Sequence, residues 1–315
     1  MKAFALTAPD QPARLVELPD PEVAPDGLAI DVRAASVNGF DVYQASGGLI
    51  GMMEHALPTV VGRDFAGVVV AGGSDRSDVV VGDEVLGFIP SAPPLHDGTY
   101  TDRLTTANVV IARKPAGLPF ETAAAIPLAG VTALDAVDAI SIEPGDVVLI
   151  AGATGGVGSF ATQLAVQRGA TVIATAQRGD EDAFVRDLGA SDTIDYSVGE
   201  VAPTVRAKYP DGIAALIDTV NGGDAFAPMA DLVRDGGRIA TTLGAADVET
   251  LAQRNVRATN VMGAPTPEKM TSLADAVVAG SLRVGIQRTF PLDDVAEALE
   301  AFSGGTIGKL VVVPR

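Results

Sequence analysis

The stretch Ala-Gly-Ala-Thr-Gly-Gly-Val-Gly, residues 151–158, decides the fold of this 315-residue chain. It follows the apolar run Val147–Ala151 and precedes a segment of helical character, which is the context that a dinucleotide-binding loop requires. Gly155 and Gly156 would let backbone N–H groups approach a pyrophosphate, and the last glycine would let the helix pack closely on the sheet. Ala153 stands where G-x-G-x-x-G has its first glycine, so a merely tight turn is the alternative interpretation.

Strands and helices alternate on the carboxyl side of this loop. Asp180–Leu188 has the periodicity of an amphipathic helix, and Gly189 follows its end. The predicted strands are Thr171–Thr175, Thr193–Asp195, Ile213–Asp218 and Arg238–Thr242. Repeated strand–helix units predict an α/β fold with a doubly wound parallel sheet, which favours the dinucleotide loop over the tight turn.

The first part of the chain has a different pattern, with short runs of strand character separated by glycine-containing turns. The predicted strands are Leu28–Ala35, Val68–Val70, Glu84–Phe88 and Asn108–Ala112. They indicate a small β-barrel or sandwich, and the pattern changes near Pro119. On periodicity alone, the strand Leu310–Val313 could join either sheet.

Composition argues against several classes of function. The chain has no cysteine and two histidines, His55 and His96, which excludes disulfides, thiolate zinc sites and a cysteine nucleophile. Its net charge of −18 argues against nucleic acid or an anionic membrane surface as partner. The uncharged stretch Val147–Gln167 is rich in glycine and is interpreted as strand, turn and buried helix. Because no targeting segment is visible, we expect a soluble, cytoplasmic protein.

The choice of cofactor is expected at the end of the strand that follows the loop. Folds that bind NAD place a carboxylate there to hold the ribose hydroxyls. Residues Ala174–Arg178 contain no acid, and within them Thr175 and Arg178 are candidates for cofactor contact. Arg178 could pair with a 2′-phosphate, which a carboxylate would repel. The sequence therefore favours NADPH over NADH, with a solvated surface arginine as the alternative.

Taken together, the motifs resemble those of the medium-chain dehydrogenase/reductase superfamily, in its zinc-independent quinone oxidoreductase (zeta-crystallin-like) branch. The resemblance runs essentially from end to end. Its marks are Ala35–Asn38 with Asp41, Gly62–Gly67, Val81–Val85, Gly130–Leu134, Ala153–Gly158, Ile194–Tyr196 and Gly308–Leu310. Each motif alone has low specificity, and it is their order along the chain that is specific to the superfamily.

The resemblance implies a GroES-like β-barrel catalytic domain made of residues 1–118 and 264–315, with a Rossmann NADPH-binding domain over residues 119–263. It also implies that the tail returns to the catalytic domain, and that the protein is a homodimer. Zinc-dependent relatives use cysteine and a Gly-His-Glu segment as ligands. Here Gly62–Asp64 reads Gly-Arg-Asp, so a catalytic zinc cannot be assembled, and no metal site is expected.

For the site, the resemblance implies that Asn38 and Tyr43 lie beside the nicotinamide and the acceptor as catalytic residues. A turn residue is the alternative for Asn38, a packing aromatic for Tyr43, and a surface lysine for Lys309. At the position where the branch often has a lysine near the 2′-phosphate, this chain has Glu181. The candidates for cofactor contact are Asn38, Thr132, Gly155, Gly156, Val157, Thr175, Arg178, Tyr196, Val220, Leu243, Gly244 and Lys309.

The expected reaction is hydride transfer from NADPH to an acceptor that is already electrophilic, either a quinone or an α,β-unsaturated carbonyl compound. One alternative is an enoyl-thioester reductase that feeds a synthase. Another is an NADPH-binding protein with little turnover, acting as a crystallin-like or regulatory module.

Overall fold

The computed structural model describes residues 1–314, which form two compact units. The first unit contains residues 1–128 and the chain from Pro265 onward, and the second contains Ala129–Ala264. The strands are β1 (Lys2–Leu6), β2 (Arg14–Glu17), β3 (Leu28–Ser36), β4 (Thr59–Val60), β5 (Asp64–Gly72), β6 (Glu84–Phe88), β7 (Arg103–Thr106), β8 (Val110–Arg113), β9 (Val147–Ala151), β10 (Thr171–Thr175), β11 (Asp192–Ile194), β12 (Ile213–Asp218), β13 (Val233–Thr241), β14 (Arg257–Asn260), β15 (Ile286–Pro291) and β16 (Lys309–Val313).

The helices alternate with these strands in the second half of the chain, and two short 3₁₀ turns lie at Gly223–Ala225 and Leu292–Asp294. The α-helices are α1 (Gly39–Ala45), α2 (Phe120–Ala124), α3 (Pro127–Ala139), α4 (Gly156–Gln167), α5 (Asp180–Asp187), α6 (Val201–Lys208), α7 (Ala227–Ala230), α8 (Val248–Ala252), α9 (Pro267–Val278) and α10 (Val295–Ser303).

The first unit is built on two sheets. A small sheet has the order β2-β1-β4, and a larger mixed sheet has the order β15-β16-β3-β5-β6-β8, with β7 also paired to β3. Strand β16 runs antiparallel to β3, so the tail that periodicity left unassigned lies in this unit. Side chains such as Ile30, Phe65 and Phe290 fill the core between these elements.

Contacts in the first unit extend beyond residue 118, where the sequence analysis set the boundary between domains. Helix α2 packs against β3 and β5, and its residues Ala123 and Ala124 are fully buried. Small alanine side chains let a helix approach a sheet closely, and this packing holds residues 119–128 to the first unit.

The second unit is a six-stranded parallel sheet with the order β11-β10-β9-β12-β13-β14. The chain starts in the middle, moves outward to β11, and then crosses back to the other side of β9 through β12. This is the doubly wound order in which ligands bind at the carboxyl ends of the strands, where the direction reverses. The predicted α/β class with a doubly wound parallel sheet is confirmed.

Glycine geometry explains the tight passage from β9 into α4. A Cβ atom on Gly158 would lie 2.1 Å from the Gly152 carbonyl oxygen and 2.6 Å from the Ala153 Cα. Gly152 itself has a φ of 79°, which side chains rarely adopt. Glycine at both positions therefore lets the helix begin directly against the loop.

Candidate functional site

The loop between β9 and α4 has the geometry of an anion-binding turn. Helix α4 begins at Gly156 and has no acidic residue in its first turn. The first N–H groups of a helix, here those of Gly156 and Val157, lack partners within the helix, and its dipole adds positive potential. A Cβ atom on Gly155 would meet just the Gly152 carbonyl oxygen, at 3.5 Å, so the space beside Gly155 is open. This arrangement can hold a pyrophosphate.

Two predicted cofactor residues contact this loop. The Gly152 N–H donates to the Thr175 hydroxyl at 2.9 Å, which ties the end of β10 to the loop. Val220 follows β12, and its side chain lies so close that a Cβ on Gly152 would come within 2.5 Å of it. Leu243 and Gly244 follow β13, and the side chains of Val220 and Leu243 are more than half exposed. These residues thus lie at the carboxyl ends of β10, β12 and β13, which is the edge of the sheet where a dinucleotide site is expected.

Thr132 lies in α3 and is largely buried. A Cβ atom on Gly263 would come within 2.1 Å of its hydroxyl oxygen, so Thr132 packs directly against that backbone. Its predicted contact with the nicotinamide stays a prediction.

Residues after β10 form what we call the ribose edge, defined by Gln177, Arg178, Glu181, Asp195 and Tyr196. The Arg178 side chain is 88% exposed, and its Nε lies 3.9 Å from an Asp195 carboxylate oxygen. The Tyr196 hydroxyl donates to the Glu181 carboxylate at 3.0 Å and accepts from the Gln177 side-chain amide at 3.0 Å. Hydrogen bonds from Ser197 hold the pKa of Asp195 below its usual value, so this neighbour of Arg178 is ionised.

A cavity of about 520 Å³ adjoins the ribose edge. Three of the side chains that line it are cations: Arg178, Arg186 and Lys208. Arg186 pairs with Asp182 at 2.9 Å, and Lys208 pairs with Asp192 at 2.6 Å. Arg178 therefore has the weakest anion contact of the three and the greatest capacity to bind an added phosphate.

The first unit contains a second group of candidate residues, which we call the buried polar cluster. All of its members are 8% exposed or less, and they come from β3, α1, β5, β16 and the adjoining loops. The cluster consists of Ser36, Asn38, Asp41, Gln44, Arg63, Asp64, Tyr100 and Lys309.

Hydrogen bonds within this cluster hold both the nitrogen and the oxygen of the Asn38 side-chain amide. Its Nδ2 donates to an Asp64 carboxylate oxygen at 3.0 Å, and its Oδ1 accepts from Lys309 Nζ at 2.6 Å. Its backbone N–H donates to Asp41 at 2.9 Å, closing the start of α1 as in a capping box. Asn38 is thus more than a turn residue, and its amide orientation is fixed; its catalytic role stays a prediction.

Lys309 is not the surface lysine that the sequence left open as an alternative. It is 3% exposed, because β16 inserts between β15 and β3, and its ammonium also donates to the Val37 carbonyl at 2.8 Å. Its contacts with Asn38 and Val37 are internal to the first unit. Contact between Lys309 and the cofactor stays a prediction.

Burial dominates the electrostatics of the cluster. It raises the pKa of Asp41 to about 7, and the neighbouring Asp64 carboxylate adds to this rise. Burial also raises the pKa of Asp64, although the Lys309 ammonium opposes it, and it lowers the pKa of Lys309. Tyr100, whose hydroxyl donates to Asp41 at 3.0 Å, has a pKa well above its ordinary value for the same reason. Both pKa values are raised because the neighbouring donors and cations offset only part of the cost of burying the two carboxylates.

Tyr43 lies outside the buried polar cluster. Its side chain is 49% exposed, and its hydroxyl faces the Met52 sulfur at 3.6 Å. The ring packs over Gly48, where a Cβ atom would come within 2.4 Å of it. The structure does not bring Tyr43 and Asn38 into contact, and proton donation by Tyr43 stays a prediction.

Sequence reasoning assigned no role to Asp41, Arg63 or Tyr100. Asp41 carried a usable local signal, because an acid three residues after Asn38 matches the reciprocal capping pattern. Arg63 precedes strand β5 and Asp64 begins it, and charged residues next to an otherwise apolar strand also indicated buried partners. Tyr100 had no comparable signal.

The fold and these two groups of residues define an oxidoreductase with a nicotinamide cofactor. The model for the alcohol dehydrogenase GroES-like domain matches residues 24–118, and that for zinc-binding dehydrogenases matches residues 188–312. The chain belongs to the medium-chain dehydrogenase/reductase superfamily, in its quinone oxidoreductase branch.

Individual relatives agree with this assignment. The quinone oxidoreductase of Pseudomonas aeruginosa is 31% identical, over 93% of each chain. The NADPH-dependent alkenal/one oxidoreductase of Arabidopsis thaliana is 29% identical over 93% of this chain and 74% of its own length. The structure of the quinone oxidoreductase from Coxiella burnetii superposes with a TM-score of 0.88 and 32% identity, covering 100% of this chain and 99% of that one.

A zinc ion, which the name of one matching model implies, does not fit the residues present. Arg63 occupies the middle of the Gly62–Asp64 segment, where its guanidinium donates to the Gln44 side chain at 3.1 Å and lies 4.8 Å from the centre of the Phe40 ring. A guanidinium has no lone pair to offer a metal. Within residues 1–314, no three His, Asp or Glu side chains are grouped so that they could hold a metal ion. In the same range, no helix is both long and apolar enough to cross a membrane.

Proposed function

We propose that this protein transfers a hydride from NADPH to a quinone or an α,β-unsaturated carbonyl compound without a zinc ion. The observation that carries the proposal is the donor set at Gly62–Asp64, in which the buried Arg63 guanidinium stands where zinc-dependent relatives have a histidine ligand. A zinc ion would lower the pKa of an alcohol hydroxyl, whereas a conjugated acceptor is already electrophilic and can take up a hydride without that help. The names of the relatives support the same class of acceptor.

NADPH is proposed as the cofactor, and when bound it supplies a hydride from C4 of its nicotinamide ring. The N–H groups at the start of α4 would bind its pyrophosphate, and Thr175 and Val220 would border the same loop. Arg178 would bind the 2′-phosphate, since its pair with the Asp195 carboxylate is long, at 3.9 Å. A guanidinium forms two parallel hydrogen bonds with a phosphate, which favours NADPH over NADH.

The catalytic roles of Asn38 and Tyr43 remain part of the proposal. Asn38 presents an amide that Asp64 and Lys309 hold in one orientation, which suits a residue that fixes a ligand. Tyr43 has an exposed hydroxyl that could donate a hydrogen bond or a proton to the reduced acceptor. The homodimer and the cytoplasmic location stay predictions from the sequence.

A panel assay tests the acceptor class. NADPH oxidation is followed by its absorbance with quinones, enones and crotonyl-thioester, each at matched concentration. Quinones or free enones are expected to give the highest kcat/KM. Preference for the thioester would replace the proposal by the enoyl-thioester reductase, and tight NADPH binding without turnover would replace it by the low-turnover binding protein.

A binding experiment tests the cofactor. Arg178→Ala should weaken NADPH binding about tenfold and NADH binding less than twofold, because the bidentate phosphate contact is lost. Dissociation constants from the quenching or enhancement of nicotinamide fluorescence measure both. Arg234→Ala, which removes another exposed arginine of the second unit, is the matched control. Equal losses for the two cofactors would remove the phosphate role.

A further inference from the structure

Glu181 is fixed at the ribose edge by neutral donors. One carboxylate oxygen accepts from the Gln177 backbone N–H at 2.8 Å, and the carboxylate accepts from the Tyr196 hydroxyl at 3.0 and 3.1 Å. The Gln177 side-chain amide donates to the same hydroxyl at 3.0 Å. Gln177, Glu181 and Tyr196 thus form a closed hydrogen-bonded ring.

The negative charge of Glu181 has little compensation. Among the ion pairs within residues 1–314, none includes Glu181, whereas the next acid, Asp182, pairs with Arg186 at 2.9 Å. Asp180 and Asp182 flank Glu181 in the first turn of α5, so the helix dipole is shared among three carboxylates. The ring therefore presents a net negative charge beside the end of β10.

Arg178 lies at the same edge and carries the opposite charge, so it attracts the phosphate that Glu181 repels. It follows Gln177 directly, and its side chain is 88% exposed. In a doubly wound fold the adenosine ribose lies at this carboxyl end of the second strand, where an acid accepts a hydrogen bond from the 2′-hydroxyl. A 2′-phosphate would meet both the guanidinium, which attracts it, and the fixed carboxylate, which repels it.

We infer that Glu181 is a specificity-determining residue that opposes Arg178, so that the preference of the site for a nucleotide with a 2′-phosphate is weaker than Arg178 alone would impose. The inference rests on the proposed function only in that a dinucleotide binds at the β9–α4 loop. Glu181 accepts the ribose hydroxyl of the unphosphorylated ligand, and Arg178 binds the phosphate of the other. Each side chain limits the selectivity that its neighbour would impose alone.

The test uses two ligands that differ solely in the 2′-phosphate, adenosine 2′,5′-bisphosphate and 5′-AMP, titrated calorimetrically into the full-length protein. Glutamine retains an oxygen that accepts from Gln177 and Tyr196, so Glu181→Gln removes the charge and keeps the ring. We expect it to raise the affinity ratio of bisphosphate to AMP roughly fivefold. Glu181→Lys should raise the ratio further, because it replaces repulsion by attraction. Both gains should shrink at high salt, since the edge is exposed to solvent.

Asp180→Asn is the matched control, because it removes the same charge from the adjacent position of α5. It should change the ratio less than twofold. The inference is overturned if Glu181→Gln and Glu181→Lys leave the ratio of the parent protein unchanged, or if Asp180→Asn raises it as much. Failure of the parent protein to bind either nucleotide is a different result, and would overturn the cofactor site of the proposed function itself.

Discussion

The buried polar cluster and the ribose edge use the same chemical groups in opposite surroundings. Each joins carboxylates to an amide and a tyrosine hydroxyl. In the cluster Asp41, Asp64 and Tyr100 are fully buried, whereas at the edge Arg178 is 88% and Tyr196 is 45% exposed. Burial makes every unpaired charge costly, so the cluster has a single arrangement that the fold must keep. At the edge Arg178 is only weakly paired, so it can bind the anionic group of a ligand.

The largest effect is expected from Lys309→Met. The change removes the ammonium that faces Asn38 and Asp64, and it leaves buried carboxylates without their cation. Loss of one partner from such a group should lower the free energy of unfolding by about 3 kcal/mol or more. Urea unfolding followed by circular dichroism measures the change.

Lys2→Met is the control for Lys309→Met. Lys2 pairs with Asp293 at a partly exposed position, and its loss should cost less than about 1 kcal/mol. Adding Asp64→Asn to Lys309→Met should restore part of the lost stability, because the uncompensated charge is then absent. Equal costs for the two lysine variants would show that the comparison between buried and exposed charge is wrong.

Gly155→Val is expected to affect binding without affecting folding. The open space beside Gly155 accepts a side chain, and its φ of −70° suits any residue. Its bulk would nonetheless occupy the approach to the loop, so affinity for NADPH should fall about 100-fold, or about 2.7 kcal/mol. Calorimetric titration and thermal unfolding measure the two properties. Gly158→Val, which would collide with the Gly152 carbonyl, should instead prevent stable folding.

The smallest effect concerns pH and Asp41. Its pKa is about 7 in the folded protein and near 3.8 when the chain is unfolded, so the folded state keeps a proton that the unfolded chain releases between these values. This contribution to stability is complete below about pH 3.8 and is lost as the pH rises through about 7. The parent protein loses about 1.4 kcal/mol of stability per pH unit between these two pKa values, so the stability of Asp41→Asn relative to the parent should rise by about 2.5 kcal/mol from pH 5 to pH 8.

Urea unfolding at several pH values across that range measures this gain. Asp64, Lys309, Arg63 and Tyr100 surround Asp41 and respond to its charge, so the difference between the two proteins reports the titration of Asp41 together with these coupled neighbours. Asp10→Asn, at an exposed position, is the control, and its free energy of unfolding should change with pH in the same way as that of the parent protein. Parallel curves for Asp41→Asn as well would contradict the raised pKa.

The second unit was the more predictable part of the fold. Alternating strands and helices, with glycines at fixed positions after Val147–Ala151, are local features, and they indicated the doubly wound sheet and its loop. The limits of one strand differ from the prediction. The structure begins β13 at Val233 rather than at Arg238, because β13 pairs with β12 through an irregular register. That irregularity depends on pairing between strands, which a single run of residues does not encode.

The side-chain partners in the site were the least predictable part. Asn38 bonds to Asp64 across 26 residues and to Lys309 across 271, and no pattern within a short window indicates such pairs. The position of Glu181 was noticed, but its ring with Gln177 and Tyr196 depends on how the loop after β11 folds back. Arg178 could be read from the sequence either as a ligand of the 2′-phosphate or as a solvated surface arginine. Both interpretations predict an exposed side chain, so the sequence could not decide between them.

The pairing of β16 with β3 has a consequence for synthesis of the chain on the ribosome. Residues 129–264 are contiguous and can begin to fold as soon as they emerge. The first unit must wait, because Lys309 is made 271 residues after Asn38, and until then Asp64 and the apolar residues of β3 lack their final partners. The later-completed unit is thus exposed to aggregation for longer during translation, although residues 1–128 of it are made first.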